Sequence, residues 1–220
     1  MGDKVNPRDD EVRTRGAART PCAGLRVGLL GGSFNPAHDG HRRISLMALR
    51  WLALDEVWWL VSPQNPLKLT ADMAPLSERM ASAQACAQHR RIRVSDLEAS
   101  LASDRSHDTM RHLRRIYPRM RFVWIIGADN LLQLPRWHRW RDLVASVPIA
   151  VFDRPTFSYA ALASQAASQY RRHRLPARLA PQLANQRPPA WVFLWPGHDS
   201  TSATAIRQGA SGPRRSGVDS

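Results

Sequence analysis

Short apolar runs rich in Val, Ile, Trp and Phe recur along this chain, each separated from the next by other sequence that mostly carries helical spacing. That alternation limits the possible folds more than any other feature. LRVGLL (25–30), EVWWLVS (56–62), RIRVSD (91–96), MRFVWIIG (120–127), PIAVFDR (148–154) and AWVFLW (190–195) read as strands. Between the first two, 39–54 carries Ile44, Met47, Ala48 and Leu52 at helical spacing. PLSERMASAQACAQH (75–89) reads as a helix with Pro75 near its start and Ser77 as a candidate cap. A helix over 107–117 follows, then two short helices over 128–146 separated by Pro135. The Ala-, Arg- and Gln-rich stretch 160–186 shows helical propensity with little apolar periodicity and reads as a mobile helical insertion. A last helix is expected to begin near Ser202. Strands joined by helices build βαβ units, so the expected fold is α/β: a doubly wound, mostly parallel sheet with helices on both faces.

At 220 residues, 43% of them hydrophobic, the chain can bury a full core as one domain. The expected domain runs over 25–209, with disordered ends at 1–24 and 210–220. The first of these alternates charges and lacks an apolar core, unlike a secretory signal. No apolar stretch reaches the length of a bilayer. Cys22 and Cys86 are too few for a disulfide framework or a metal knuckle, and a reducing cytoplasm is the expected location. The net charge of +14 is carried almost wholly by arginine, with lysine only at Lys4 and Lys68. Such a field attracts any polyanion, a nucleic acid or a small phosphorylated substrate alike.

The chemistry concentrates in GLLGGSFNPAHDGHRRIS, residues 28–45. In sheets of this kind ligands bind beyond the carboxyl ends of strands, where loops enter helices. Gly31 and Gly32 would let the backbone approach a ligand closely. The helix beginning near Asp39 or Gly40 offers unpaired N–H groups and a positive dipole end to phosphate. His38 and His41, three apart, would lie together there, each able to donate to a phosphate oxygen. Neither Gly-x-x-x-x-Gly-Lys-Ser/Thr nor Gly-x-Gly-x-x-Gly is present. Two histidines could also ligate a metal, but no cysteine or further histidine gathers near them in sequence.

GGSFNPAHDGH closely resembles the signature of the nucleotidyltransferase superfamily marked by His/Thr-x-Gly-His, and STSATAIR resembles its second motif, Ser-Ser-Thr-x-Ile-Arg. The resemblance extends from about Val27 to Arg207 and is to the bacterial nicotinate-nucleotide branch of the adenylyltransferases. It implies a Rossmann-like domain that joins ATP to nicotinate mononucleotide, giving deamido-NAD and pyrophosphate in NAD biosynthesis. It further implies His38, His41 and Arg207 as catalytic residues, and Gly31, Gly32, Ser33, Phe34, Gly40, Ser202 and Thr204 as ATP contacts. PQNPLK, SHDTM and GADNLLQLPRW match elements of the same branch. From them Lys68, Ser106, Thr109, Gly127, Asp129 and Trp137 are expected at the mononucleotide, Trp137 stacked on the pyridine ring. Magnesium is expected with ATP, held mainly by substrate phosphates and water rather than by a protein cage. The chain departs from the pattern at Asn35 (often Asp), Ala203 (Ser), Ser106 (Thr) and Met110 (Leu). Neighbouring expectations are an adenylyltransferase for nicotinamide mononucleotide or phosphopantetheine, and, from another class, a basic nucleic-acid-binding protein. The expected enzyme is a monomer or homodimer that needs neither nucleic acid nor a membrane.

Overall fold

A computed structural model of the chain describes residues 24–63, 73–101, 105–154 and 156–196. Its centre is a seven-stranded sheet in the order β3-β2-β1-β4-β5-β7-β6. The strands are β1 (Arg26–Gly32), β2 (Glu56–Val61), β3 (Ile92–Ser95), β4 (Arg121–Gly127), β5 (Ile149–Phe152), β6 (Arg174–Leu175) and β7 (Trp191–Leu194). Every paired neighbour runs parallel. The helices are α1 (Asp39–Trp51), α2 (Leu76–Ala87), α3 (Leu97–Ser100), α4 (Ser106–Ile116), α5 (Ala128–Gln133), α6 (Trp140–Ser146), α7 (Ser158–Leu162) and α8 (Gln165–Gln169).

The apolar runs are nearly continuous because both faces of the sheet are covered, and the period of two sorts their side chains between the faces. Val27, Leu29, Phe122, Trp124, Ile126, Ile149 and Val151 enter one core with Met110, Leu113, Leu131, Leu143 and Ala166 of the helices α4, α5, α6 and α8. Leu30, Val57, Trp59, Val123, Ile125 and Phe152 enter the other, with Ala48 and Leu49 of α1, Ala83 of α2 and Leu183. At Gly28 the second layer closes so tightly that a Cβ would meet Ile125 Cδ1 at 2.6 Å and Leu54 Cδ1 at 2.8 Å.

Three expectations need correcting. The stretch 160–186 is helical as expected but is not an insertion outside the sheet: α7, α8, a 3-10 turn and a 3-10 segment over Ala177–Asn185 flank the two-residue strand β6, which pairs with β7. Ala161, Ala166, Ala167, Ala180 and Leu183 there are buried, alanine being small enough to pack closely without the bulky periodicity that marks a helix face. Ser77 does not cap α2, which starts one residue earlier after Pro75. The first helix stops at Trp51, and Leu52 and Leu54 are buried in the link to β2. The split at Pro135 stands as expected, with α5 passing into a 3-10 turn over Leu134–Arg136. The ends at 1–23 and 210–220, and the helix expected near Ser202, lie outside the described residues.

At the opposite edge from the candidate site, Asp55 accepts the main-chain N–H of Arg26 (2.8 Å) and two of its guanidinium nitrogens (3.2 and 3.0 Å). The Arg26 guanidinium, more than its main-chain N–H, holds the Asp55 carboxyl below the usual carboxylate range. A depressed folded value means stabilisation that is complete above about pH 3.9 and lost as pH falls through that lower value. Because the pair is one-third exposed its worth is small. Asp55→Asn is therefore expected to lower the melting temperature by about 1–4 °C at pH 7, the two melting curves converging near pH 2. Calorimetry at both pH values checks this.

Candidate active site

β1 and β4 lie side by side with Leu30 opposite Ile125, so Gly32 and Gly127, each two residues on, leave the sheet at the same edge. Val61 stands opposite Gly32 and Phe152 opposite Gly127. The strand order reverses here: the chain moves outward from β1 through β2 to β3, then returns to β4 on the other side of β1. That opening is where doubly wound sheets take ligands.

From β1 the turn is anchored by Phe34, 1% exposed and stacked on Trp59 with ring centroids 5.0 Å apart. Its left-handed backbone (φ 47°) is unusual for a bulky residue and holds because the ring is buried. A Cβ on Gly32 would press on that ring at 3.3 Å, and Gly31 is exposed beside it. The chain then enters α1 through His38, which is the helix N-cap. Its Nδ1 accepts the N–H of Gly40 (3.1 Å), while the N–H of His38 donates to Nδ1 of His41 (3.3 Å). This is a capping box built from two imidazoles.

The box has a chemical consequence. A ring nitrogen that accepts a hydrogen bond carries no proton, so each imidazole in this arrangement bears its proton on Nε2. The main chain thus selects the tautomer that makes Nε2 a donor. The rings lie 3.9 Å apart between centroids. Gly40 is part of the device, since a Cβ there would meet Nδ1 and Cε1 of His38 at 2.9 Å. Beneath, Trp59 Nε1 donates to Ser45 Oγ (2.7 Å), which donates to the carbonyl of His41 (2.8 Å), tying the first turn of α1 to β2.

From β4 the chain passes through Gly127, the cap residue of α5, to Asp129. One carboxylate oxygen of Asp129 meets Arg154 at 3.3 Å; the other, Oδ1, is buried with no hydrogen-bond partner among the described residues. A buried unsatisfied acceptor needs an explanation, and a ligand N–H or O–H is a sufficient one. A Cβ on Gly127 would lie 2.4 Å from that oxygen, so glycine is what lets the carboxylate turn inward.

A third group comes from α4 and the loop before α6. Ser106 opens α4, half-buried. Trp137 is half-buried against the core, its main-chain N–H donating to the carbonyl of Leu134 (3.0 Å). Arg105 and His138, their chain neighbours, meet at 3.3 Å and so bring these segments together. Thr109 behaves differently from its sequence reading. It is fully buried, its hydroxyl directed to Glu98 Oε1 (3.1 Å) and the carbonyl of Arg105 (3.2 Å), so in this conformation it braces the start of α4. Lys68, Ser202, Thr204 and Arg207 lie outside the described residues. Arg154, Ser45 and Trp59 carry no motif, and only the fold draws attention to them.

Residues 29–209 match the model of the cytidylyltransferase-like family. The chain belongs to that family. Among cytidylyltransferase-like proteins it is 54% identical over 185 residues to one named probable nicotinate-nucleotide adenylyltransferase in Parvibaculum lavamentivorans, covering 84% of this chain and 92% of the relative. A protein of the same name in Brucella abortus is 44% identical, covering 84% and 95%. The fold is also that of Plasmodium falciparum nicotinic acid mononucleotide adenylyltransferase complexed with NaAD: TM-score 0.59 at 15% identity, over 78% of this chain and 75% of that one. Gly32 and Gly127, which end the two strands, and the imidazole box fall inside the family match. Among the described residues no helix is long and apolar enough to cross a membrane.

Proposed function

We propose that this protein transfers AMP from ATP to nicotinate mononucleotide, releasing pyrophosphate and forming deamido-NAD, a step of NAD biosynthesis. The observation that carries the proposal is the imidazole box at the β1–β4 opening, which turns two Nε2–H donors into fixtures of a helix N-terminus. Names borne by relatives at 44–54% identity supply the acceptor.

In the reaction a phosphate oxygen of the mononucleotide attacks the α-phosphorus of ATP, and the bond to the bridging oxygen breaks with pyrophosphate as leaving group. A phosphate monoester with a second pKa of about 6 is already largely ionised at neutral pH, so no general base is required. What the protein must supply is alignment of two polyanions and neutralisation of the charge that shifts onto pyrophosphate. His38 and His41 donate from Nε2 to the transferring and leaving phosphates, and the N-terminus of α1 adds its dipole. Gly31, Gly32, Ser33, Phe34 and Gly40 shape the turn that ATP approaches. Arg207 grips the β- and γ-oxygens in bidentate fashion, Ser202 and Thr204 add donors, and Lys68 offsets charge on the incoming phosphate. Ser106, Gly127, Asp129 and Trp137 receive the mononucleotide, and Thr109 holds the carbonyl of Arg105, the residue before Ser106.

Magnesium accompanies ATP in this reading. No group of three or more His, Cys, Asp and Glu residues suited to a metal occurs among the described residues, and both Nδ1 atoms already accept main-chain hydrogen bonds. That donor set fits an ion carried in by phosphate oxygens and water. When bound it supplies charge neutralisation on the triphosphate.

Pyrophosphate release from ATP, measured with nicotinate mononucleotide, nicotinamide mononucleotide and phosphopantetheine in turn, tests the proposal. A carboxylate offers only acceptors where a carboxamide adds a donor, and a site built for one leaves polar groups unpaired with the other. The expected result is a kcat/KM for the acid at least about a hundredfold above that for the amide, with no turnover of phosphopantetheine. Equal values for acid and amide would overturn the acceptor assignment; no turnover of any would overturn the reaction.

A further inference from the structure

Arg79, in the first turn of α2, is 2% exposed. Among the described residues its partners are four main-chain carbonyls: Nη1 donates to Ser33 and Ser62 (both 2.7 Å), Nη2 to Pro63 (3.0 Å) and Nε to Ala74 (2.9 Å). None of the four is a carboxylate, although buried guanidinium groups are ordinarily paired with one. Burial pulls its pKa below the usual arginine value.

The four carbonyls have a pattern. Ser33 follows Gly32 at the end of β1, Ser62 and Pro63 begin the chain after β2, and Ala74 lies just before α2. One planar fork therefore clamps the exit of β1 to the exit of β2 at the ligand edge. Two further bonds reinforce the clamp: Ala74 N–H to Asn35 Oδ1 (3.1 Å) and Ala37 N–H to Ser82 Oγ (3.3 Å). Asn35 and Ala37 lie in the segment that runs from Ser33 to the His38 cap, so the clamp sets where the imidazole box stands relative to β2. Lysine cannot reproduce it, because a single ammonium cannot reach four acceptors in one plane.

We propose that Arg79 is a positioning residue for adenylyl transfer, fixing the β1 turn and through it the two imidazoles at the β1–β4 opening. The inference rests on the reaction proposed above, and wild-type turnover tests that reaction separately. Misplacement of reacting groups by about an ångström costs up to a hundredfold in rate. Arg79→Lys is therefore expected to lower kcat at least about tenfold while the KM for either substrate changes less than about threefold, measured well below the variant's melting temperature. In Arg79→Ala, added guanidinium ion at a low, non-denaturing concentration is expected to restore part of the lost kcat. If the alanine variant does not fold, the lysine variant decides alone. A lysine variant with a lower melting temperature but wild-type kcat and KM would overturn the proposal, leaving Arg79 a purely structural staple. A variant changed only in KM would overturn it equally. An inactive wild type would instead overturn the reaction reading.

Discussion

Replacing His41 by alanine is expected to lower kcat roughly a hundredfold or more, the usual cost of losing one oriented donor to developing charge. The structure separates this from a folding defect. His41 has two jobs: its Nδ1 accepts the N–H of His38 and closes the helix cap, and its Nε2 is the donor aimed at phosphate in the proposed mechanism. Losing the cap costs about 1 kcal/mol, worth a few degrees of melting temperature in a domain of this size. Asparagine divides the two roles, since its Oδ1 can occupy the acceptor position while nothing replaces Nε2. His41→Asn should thus recover most of the melting temperature lost in His41→Ala and none of the turnover. Steady-state pyrophosphate release and thermal melts on both variants check this. A variant within threefold of wild-type kcat would remove the residue from the mechanism.

Gly40→Ala sets stability against activity still more directly. Alanine is favoured over glycine inside helices by up to about 1 kcal/mol, so α1 taken alone should gain from the change. Yet the added Cβ would stand 2.9 Å from the His38 ring, which must swing away and give up the Gly40 N–H. His38 then loses both its orientation and the bond that selects its tautomer. The expected outcome is a kcat lower by at least about thirtyfold with a melting temperature within about 3 °C of wild type. Unchanged turnover in a folded Gly40→Ala protein would mean that the ring's placement is unimportant.

Much of this architecture was legible in the residues because strand and helix periods are local. The apolar runs, their helical partners and the phosphate-seeking turn at Gly31–His41 need no tertiary information, and their order alone implies parallel pairing. What escaped has a physical reason in each case. Ala166, Ala167 and Ala180 are core residues whose size gives no apolar signal. Thr109 sits in a motif-like element, but its hydroxyl is spent on Glu98, a partner invisible until α3 packs on α4. That the Nδ1 atoms of the two histidines also cap the helix depends on backbone geometry that sequence spacing does not show. Arg79 is one arginine in a chain crowded with them, and a clamp on main-chain carbonyls leaves no mark in sequence.

The two ends of the sheet have a consequence for how copies of this molecule meet. Among the described residues the terminal strands are four and two residues long, and each bears an exposed arginine, Arg93 on β3 and Arg174 on β6. Short borders that carry charged side chains offer little template for a neighbour's backbone. Association between folded copies at high concentration should accordingly proceed through helical flanks, not by lateral growth of the sheet, and the native state should be a poor seed for cross-β fibres.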